Sequence, residues 1–572
     1  MPDSSRSVAE IDFPADIQLT PSPRDWRDHV IYFLLIDRFD NGAVNTPPFS
    51  ATHAGTGRDL STRNRFQGGT LKGITNRLDY IKGLGCTAVW ISPILKNRQD
   101  QNDAYHGYGI QDFLQIDPRF GTLADLRELT AQAHARDMAV ILDVVINHTG
   151  DVWAYPGDYP YYYSGGQTFP FERWREADAT PGLQDDDAVW PRELQTPEAF
   201  KRRGQIRDWN DAQQARDGDF LSLKELDVQN ARVLDTLIKV YKYWIAAADL
   251  DGFRIDTVKH LENSSTAIFC NAIREYAQRL GKKNFFLFGE IVADDDTIGQ
   301  YLGRNSRIDG SNERFPSLDA ALDFPLYFAL EDVIKGFTDP AALRHRYDAL
   351  RERYADHGAA GRYFITFVDN HDQMARPYRR FMHNNPFPNQ VVLAMTYLLT
   401  SQGVPCIYYG TEQAFDGGGP DDSYVRECMF GGTWGAFDSS GRHFFNPNHA
   451  VYKSIRAVAD LRASHAALRY GRQYFREIST NGFDFEHPHT GHCTLAYSRV
   501  LDSQEITVLL NLDSSARSDY ITVDRNLTPP GSVLVDLLAP QREFVVEDRG
   551  GRSAVRVSLQ EHRLAVLARR QA

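Results

Sequence analysis

The chain is poor in cysteine. It has five (Cys86, Cys270, Cys406, Cys428 and Cys493) in 572 residues, an odd number with no Cys-x-x-Cys pair. That excludes a disulfide scaffold and a cysteine zinc ribbon, and buried thiols are the expectation. No apolar run approaches 18 residues, so nothing is expected to span a membrane. Positive charge is in deficit, with 63 Lys and Arg against 76 Asp and Glu for a formal net charge of −13. An acidic chain repels phosphate backbones, so no nucleic-acid partner is expected. Residues 1–23 lack a basic segment followed by an apolar one. The expectation is therefore a cytoplasmic protein, or a periplasmic or secreted one if a leader has been removed. The 17 histidines show no His-Glu-x-x-His spacing, which argues against a catalytic zinc.

Short apolar runs alternating with longer amphipathic stretches fill the first three quarters of the chain. The runs at Val30–Ile36, Cys86–Ile94, Met138–Ile146, Gly252–Asp256, Phe285–Gly289, Leu322–Pro325, Tyr363–Val368 and Val404–Tyr409 read as buried strands. Continuous apolar strands separated by helices imply a parallel sheet covered on both faces. Eight of them predict an α/β fold of the closed (β/α)8 TIM-barrel type. No Gly-x-Gly-x-x-Gly follows the first strand, which argues against a doubly wound sheet.

Residues 150–222 are rich in Tyr, Trp, Pro, Gly and Asp without helical period, too long for a plain loop, and read as an inserted subdomain after strand 3. From about residue 464, seven short alternating runs separated by turn signals predict a C-terminal antiparallel β-sandwich. The division expected is an N-terminal extension (1–24), a catalytic barrel (25–149 and 223–463), the insert (150–222) and the sandwich (464–572).

Parallel barrels place their chemistry at the C-terminal strand ends. Strand three ends in Asp143-Val-Val-Ile-Asn147-His148, strand four in Gly252-Phe-Arg254-Ile-Asp256, strand five in Glu290, and strand seven in Asp369-Asn370-His371-Asp372. Alternation along strand four puts Arg254 and Asp256 on one face. An Arg beside an Asp keeps that carboxylate ionised and aimed, as a nucleophile requires. Glu290 follows Phe285, Phe286 and Phe288, apolar surroundings that raise a carboxyl pKa as a general acid requires. Two carboxyls pushed apart in this way are the signature of glycoside hydrolysis. A single Asp at a strand end is most often a cap or a salt bridge; four such strand ends in order are not explained that way.

Those segments, DVVINH, GFRIDTVKH, FGEI and FVDNHD in that order, resemble the four signature regions of the α-amylase family of glycoside hydrolases. IYFLLIDRF, AYHGY (Ala104–Tyr108) and LKELD (Leu223–Asp227) add to the resemblance, which covers roughly residues 25–570. It implies Asp256 as nucleophile, Glu290 as acid/base and Asp372 as the third carboxylate, gripping sugar hydroxyls and stabilising the transition state. It implies that Arg254 holds the nucleophile, that His148 and His371 hydrogen-bond the sugar before the cleaved bond, and that Tyr108 stacks under that ring. Lys259 and His260 resemble the leaving-group side of amylases and cyclodextrin-processing members, which favours maltooligosaccharides or larger α-glucans, and the family resemblance implies cleavage of α-glucosidic bonds, α-1,4 the first expectation, by retaining double displacement.

No cofactor for chemistry is implied. A structural calcium between barrel and insert is, with Asn147 and Glu225 as side-chain ligands and the His260 carbonyl as another. A second calcium in some relatives uses an acid after a Gly-Gly pair. Here Gly68-Gly69 is followed by Thr70, which argues against it. Trp153, Tyr155, Tyr159, Tyr161, Tyr162 and Tyr163 are candidates either for outer sugar subsites or for the interior of the insert. Three readings stay open: a retaining hydrolase of α-glucosidic bonds; a transglycosylase, α-1,6-acting or exo-acting enzyme on the same residues; and an inactive barrel scaffold.

Overall fold

The computed structural model describes residues 5–570 apart from 14–16, 44–45, 56, 158, 179, 305–316, 355–359, 373–377, 490 and 492. Parts of the expected N-terminal extension (1–4 and 14–16) and residues 571–572 thus lie outside the described set.

Eight parallel strands close a barrel: β1 (Ile31–Leu34), β2 (Ala88–Ile91), β3 (Ala139–Val144), β4 (Gly252–Ile255), β5 (Phe286–Gly289), β6 (Ala320–Leu322), β7 (Phe364–Thr366) and β8 (Val404–Tyr408). Each strand pairs with its sequence neighbours, and β8 returns to β1 with Ile31 opposite Cys406. Every residue of these strands is buried, as expected of a sheet with side chains packed inside and helices outside. Aromatics fill the interior: Phe33 stacks on Trp90 at 3.7 Å, and Trp90 meets Phe288 edge-on at 5.4 Å.

One expected strand is shifted. Leu322–Pro325 reads as apolar strand, yet β6 stops at Leu322, and Asp323 caps a helix over Phe324–Ile334 by accepting from Leu326 N. Pro325 has no N–H to give a ladder and suits a first helical turn, so the apolar run is split between two elements.

The helix Ala231–Ala248 begins at Asn230, whose side chain accepts from Arg232 N, and ends at Asp249 with φ +52°. Its Tyr241 hydroxyl donates to the Val145 carbonyl at 2.6 Å, pinning the turn that carries Asn147 and His148. Between β3 and β4, the described residues of 150–222 form loops, the short helix Ala212–Asp217 and short ribbons, including Trp153–Ala154 paired with Arg173–Trp174. This segment is tied to the barrel by a ribbon of His148–Thr149 with Lys224–Glu225.

Beyond the helix Ala450–Ser464 lie nine antiparallel strands: β9 (Arg472–Phe475), β10 (Ile478–Ser479), β11 (Thr494–Leu501), β12 (Gln504–Asn511), β13 (Arg517–Val523), β14 (Val533–Asp536), β15 (Ala539–Arg549), β16 (Arg552–Leu559) and β17 (Leu564–Arg569). Their order is β9-β11-β12-β17-β14-β15-β16-β13-β10. Long β15 pairs with β14 through Val545 and with β16 from Val546, so one strand serves both halves of the sheet. Buried arginines lock the joint with the barrel, Arg499 from this sheet and Arg462 from the helix before it. Arg499 on β11 donates to the carbonyls of Thr400, Leu468 and Gly471. Arg462 donates to those of Leu399, Leu468, Gly403 and Arg27.

Among the described residues, no helix is long and apolar enough to cross a membrane. All five cysteines are free and buried.

Candidate active site

The site grows from the register of β3, β4 and β5. Arg254 on β4 lies opposite Asp143 on β3 and Phe288 on β5. The Arg254 guanidinium, fully buried, reaches three carboxylates: Asp143 at 2.9 Å, Asp256 at 2.6 Å and Glu290 at 3.0 Å. Asp256 and Glu290 stand one residue beyond the ends of β4 and β5, and both belong to one guanidinium. Glu290 Oε2 also accepts from Thr257 N at 3.1 Å, while Glu290 N donates to the Ile255 carbonyl. Glu290 is thus fixed to the strand end that carries Asp256, whose own N donates to the Val144 carbonyl of β3.

Burial pushes the Glu290 carboxyl up to about 8, helped by the negative charges of Asp256 and Asp372 and opposed by Arg254. Burial likewise lifts Asp143 to about 7 against the pull of Arg254. Asp372 goes the other way: burial alone would raise it, but the His371 ring and the Arg426 guanidinium hold it below the usual carboxylate range. Carboxyls with such different proton affinities, side by side in a buried cluster, can divide the roles of acid and anion.

Tyr108 joins the strand-three and strand-seven ends. Its hydroxyl donates to Asp143 Oδ2 at 2.9 Å and meets His371 Nε2 at 2.8 Å, and its ring lies within 26° of parallel to the neighbouring His106 and His371 rings. His371 Nε2 lies 3.3 Å from Asp372 Oδ2. Burial lowers His371 and His106 to about 3, so both rings are neutral at physiological pH. His148 is 1% exposed, and among the described residues neither of its ring nitrogens has a partner within hydrogen-bonding geometry. A buried imidazole left unsatisfied is poised for something from outside the chain.

Lys259 and His260 form the turn after Asp256, with Lys259 half-buried. His260 Nδ1 bonds the Ala215 carbonyl of the insert, and its ring is flanked by Trp209 and Phe220. Trp209 is 37% exposed, leaving an aromatic surface open beside the site. The tyrosine-rich run divides: Trp153, Tyr155 and Tyr162 are buried, whereas Tyr159, Tyr161 and Tyr163 are exposed. Interior and surface roles therefore fall to different members of one run.

Sequence reasoning missed Arg426, which donates to the His371 carbonyl and pairs with Asp372 at 2.7 Å and Asp422 at 2.8 Å. It lies in irregular chain after β8, where no periodicity marks it. Trp209 and Phe220 were also missed, being scattered through a segment without pattern.

Asn147 and Glu225, the residues expected to hold calcium, do come together: Asn147 Nδ2 donates to Glu225 Oε2 at 2.7 Å. The space beside them holds a cation of the chain's own. Lys201 Nζ lies 3.8 Å from Glu225, 3.6 Å from Glu262 and 3.7 Å from Asp217, and donates to the Arg216 carbonyl. Calcium needs six to eight oxygens at about 2.3–2.6 Å, and an ammonium in the same cradle repels it, so the residues present do not fit that ion. Near the loop after β1, Asp40 is paired with Arg77 at 2.5 Å and Asp37 with Arg38 at 2.9 Å. Thr70 caps the helix Leu71–Asn76, and a side chain at Gly69 would meet the Ile36 carbonyl at 2.0 Å. The acids there are already matched by arginines.

Comparison with known proteins matches residues 33–429 to the family model of the alpha amylase catalytic domain. An alpha-amylase of Streptomyces lividans is 32% identical over 514 residues, covering 80% of this chain and 54% of that protein. A cyclomaltodextrin glucanotransferase of Klebsiella oxytoca is 29% identical over 483 residues, covering 78% of this chain and 66% of that protein. The chain spans about half the length of the Streptomyces relative. Among solved structures, an alpha-amylase from Geobacillus thermoleovorans complexed with acarbose superposes with a TM-score of 0.70 at 28% identity, covering 96% of this chain and 100% of that one.

Proposed function

The chain belongs to the α-amylase family of glycoside hydrolases, and on that premise we propose that it is a retaining hydrolase of α-glucosidic bonds in maltooligosaccharides or α-glucans. The observation that carries the reading is the single guanidinium of Arg254 holding Asp256 at 2.6 Å and Glu290 at 3.0 Å, with Glu290 lifted to about 8 by burial.

In the first step the Glu290 carboxyl donates its proton to the glycosidic oxygen. Asp256 attacks the anomeric carbon, the C–O bond to the leaving sugar breaks, and a glycosyl ester forms on Asp256. In the second step the Glu290 carboxylate takes a proton from water, whose oxygen attacks the same carbon and breaks the ester. Configuration is retained after two inversions. Arg254 aims the Asp256 carboxyl through its 2.6 Å contact. Asp372, with its proton affinity lowered, accepts sugar hydroxyls, and His148 and His371 offer neutral imidazoles for further hydrogen bonds. Tyr108 supplies an aromatic face. Lys259 and His260 serve the leaving-group side.

A second reading, transfer to a sugar acceptor, is favoured by the Trp209 and Phe220 rings against His260. An aromatic surface on that side can retain an acceptor long enough to compete with water. Thin-layer chromatography of products from maltooligosaccharides of increasing length, with and without excess acceptor, separates the two. Shorter products alone are expected; longer ones mark transfer, action on disaccharides alone argues for an exo-glucosidase, and no product at any length overturns the proposal.

A further inference from the structure

We infer that Lys201 is the resident cation at the junction of insert and barrel, its ammonium standing where the family resemblance places a calcium ion. The inference concerns the fold and is independent of the activity proposed above.

The junction gathers four stretches of chain. Glu225 comes from the ribbon closing the insert, Asp217 from the end of the short helix Ala212–Asp217, and Glu262 from the N-terminus of the helix Asn263–Arg279. Asn147 comes from the turn after β3. None of these carboxylates bonds another; each lies within 3.8 Å of one ammonium. Lys201 is 6% exposed at its side chain and Glu225 1%, so this charge pair is dry, the circumstance in which opposite charges act strongly. The lysine is also placed by its backbone, since Lys201 N donates to the Glu225 carbonyl at 3.1 Å and Phe200 bridges Leu226.

The cradle is acidic, three carboxylates to one ammonium, which would by itself invite a further cation. Two of the three answer that from elsewhere. Glu262 also accepts from Gln229, and both Asp217 and Glu262 are partly open to water, at 22% and 19%. Glu225 is the most deeply sealed of the three, and Lys201 is its ion-pair partner. Among the described residues, Glu225 Oε1, Glu262 Oε2 and Asn147 Oδ1 lack hydrogen-bond partners, which marks the place as one that requires positive charge, and the nearby ammonium provides it. A tethered ammonium gives less than a metal in coordination, but it is present at every calcium concentration.

The test is thermal unfolding of the full chain in excess EDTA and in millimolar CaCl2, with calcium titrated by calorimetry in parallel. For the unaltered protein we expect midpoints that agree within about 1 °C and no heat of binding at this site. Lys201→Met keeps most of the side-chain volume and removes the charge, while Lys201→Ala also opens the cradle. Both are expected to lower the midpoint by about 2–5 °C, and CaCl2 is expected to restore part of the loss in Lys201→Ala alone. An unaltered protein whose midpoint falls in EDTA and recovers with calcium overturns the inference, as does a Lys201→Met midpoint equal to that of the unaltered protein. If neither variant folds, the EDTA and calcium arms on the unaltered chain still decide.

Discussion

At the scale of single residues, the site depends on unequal proton affinities within one ion cluster. Replacing Asp256 by Asn or Glu290 by Gln should lower kcat/KM by at least about 10³-fold, with the unfolding midpoint little changed; near-native turnover in both would refute the assignment. A general acid must carry its proton, and burial holds Glu290 at about 8. The rate is therefore expected to fall as pH rises through that value, because the anion has nothing to donate. An initial-rate profile that stays flat well above it would contradict the role. The acids could be read in the sequence because a barrel strand is apolar until it ends, so the first charged residues mark the mouth. Arg426 could not be, although it pairs with Asp372 as closely as Arg254 does with Asp256. Its position follows from where a loop after β8 happens to lie, and nothing in its neighbours' periodicity records that.

At the scale of elements, a charge cluster at the opposite end of β4 from Asp256 joins two helices and a strand. His134, in the last turn of the helix Leu123–His134, contacts Asp251 at 2.8 Å and Asp249 at 3.4 Å, and Lys282 reaches both carboxylates at 2.7 Å. Burial alone would lower His134, but the two carboxylates overcome it and raise the imidazole from 6.5 to about 9. Burial alone would raise Asp249, but His134 and Lys282 bring it down to about 2. The raised histidine contributes its full stabilisation below pH 6.5 and loses it as pH climbs through about 9. The depressed aspartate contributes above 3.8 and loses its share toward 2. Denaturant titrations should show a decline of about 1–2 kcal/mol between neutral and mildly alkaline pH, absent in His134→Gln; a variant with the same slope would locate the effect elsewhere. The sequence disclosed these elements unevenly. The seven C-terminal runs became β11 to β17 because alternation survives wherever one face is buried. β9 escaped notice because its residues alternate only between exposed and half-buried, and the apolar content that marks a strand is missing. β6 was displaced for the opposite reason, an apolar run continuing past the strand into a capped helix.

At the scale of the whole molecule, the C-terminal sheet is fastened to the barrel by Arg499, which bonds only carbonyls, as does Arg462 in the helix before the sheet. Burial lowers Arg499 to about 10 and Arg462 to about 9, so both remain charged at neutral pH although neither forms an ion pair among the described residues. Arg499→Met would leave the carbonyls of Thr400, Leu468 and Gly471 without that donor, at a cost of about 2–4 kcal/mol. Differential scanning calorimetry should then resolve a separate low-temperature transition for the C-terminal sheet, and a single unshifted transition would show that the fastening lies elsewhere. The overall architecture was legible from the eight apolar runs and the later change of period, whereas the way the parts are locked together was not, because a carbonyl leaves no trace in side-chain chemistry. One more consequence follows from Ile31 lying opposite Cys406. A ribosome threads the chain out from its amino end, so the edge of β1 waits bare while some 370 further residues are made. Until β8 emerges the ring stays open and the acids of β4, β5 and β7 have no common mouth. The nascent polypeptide therefore travels most of its synthesis as an unclosed sheet, dependent on escorts against sticking to its neighbours, and becomes an enzyme only when the last stave is set.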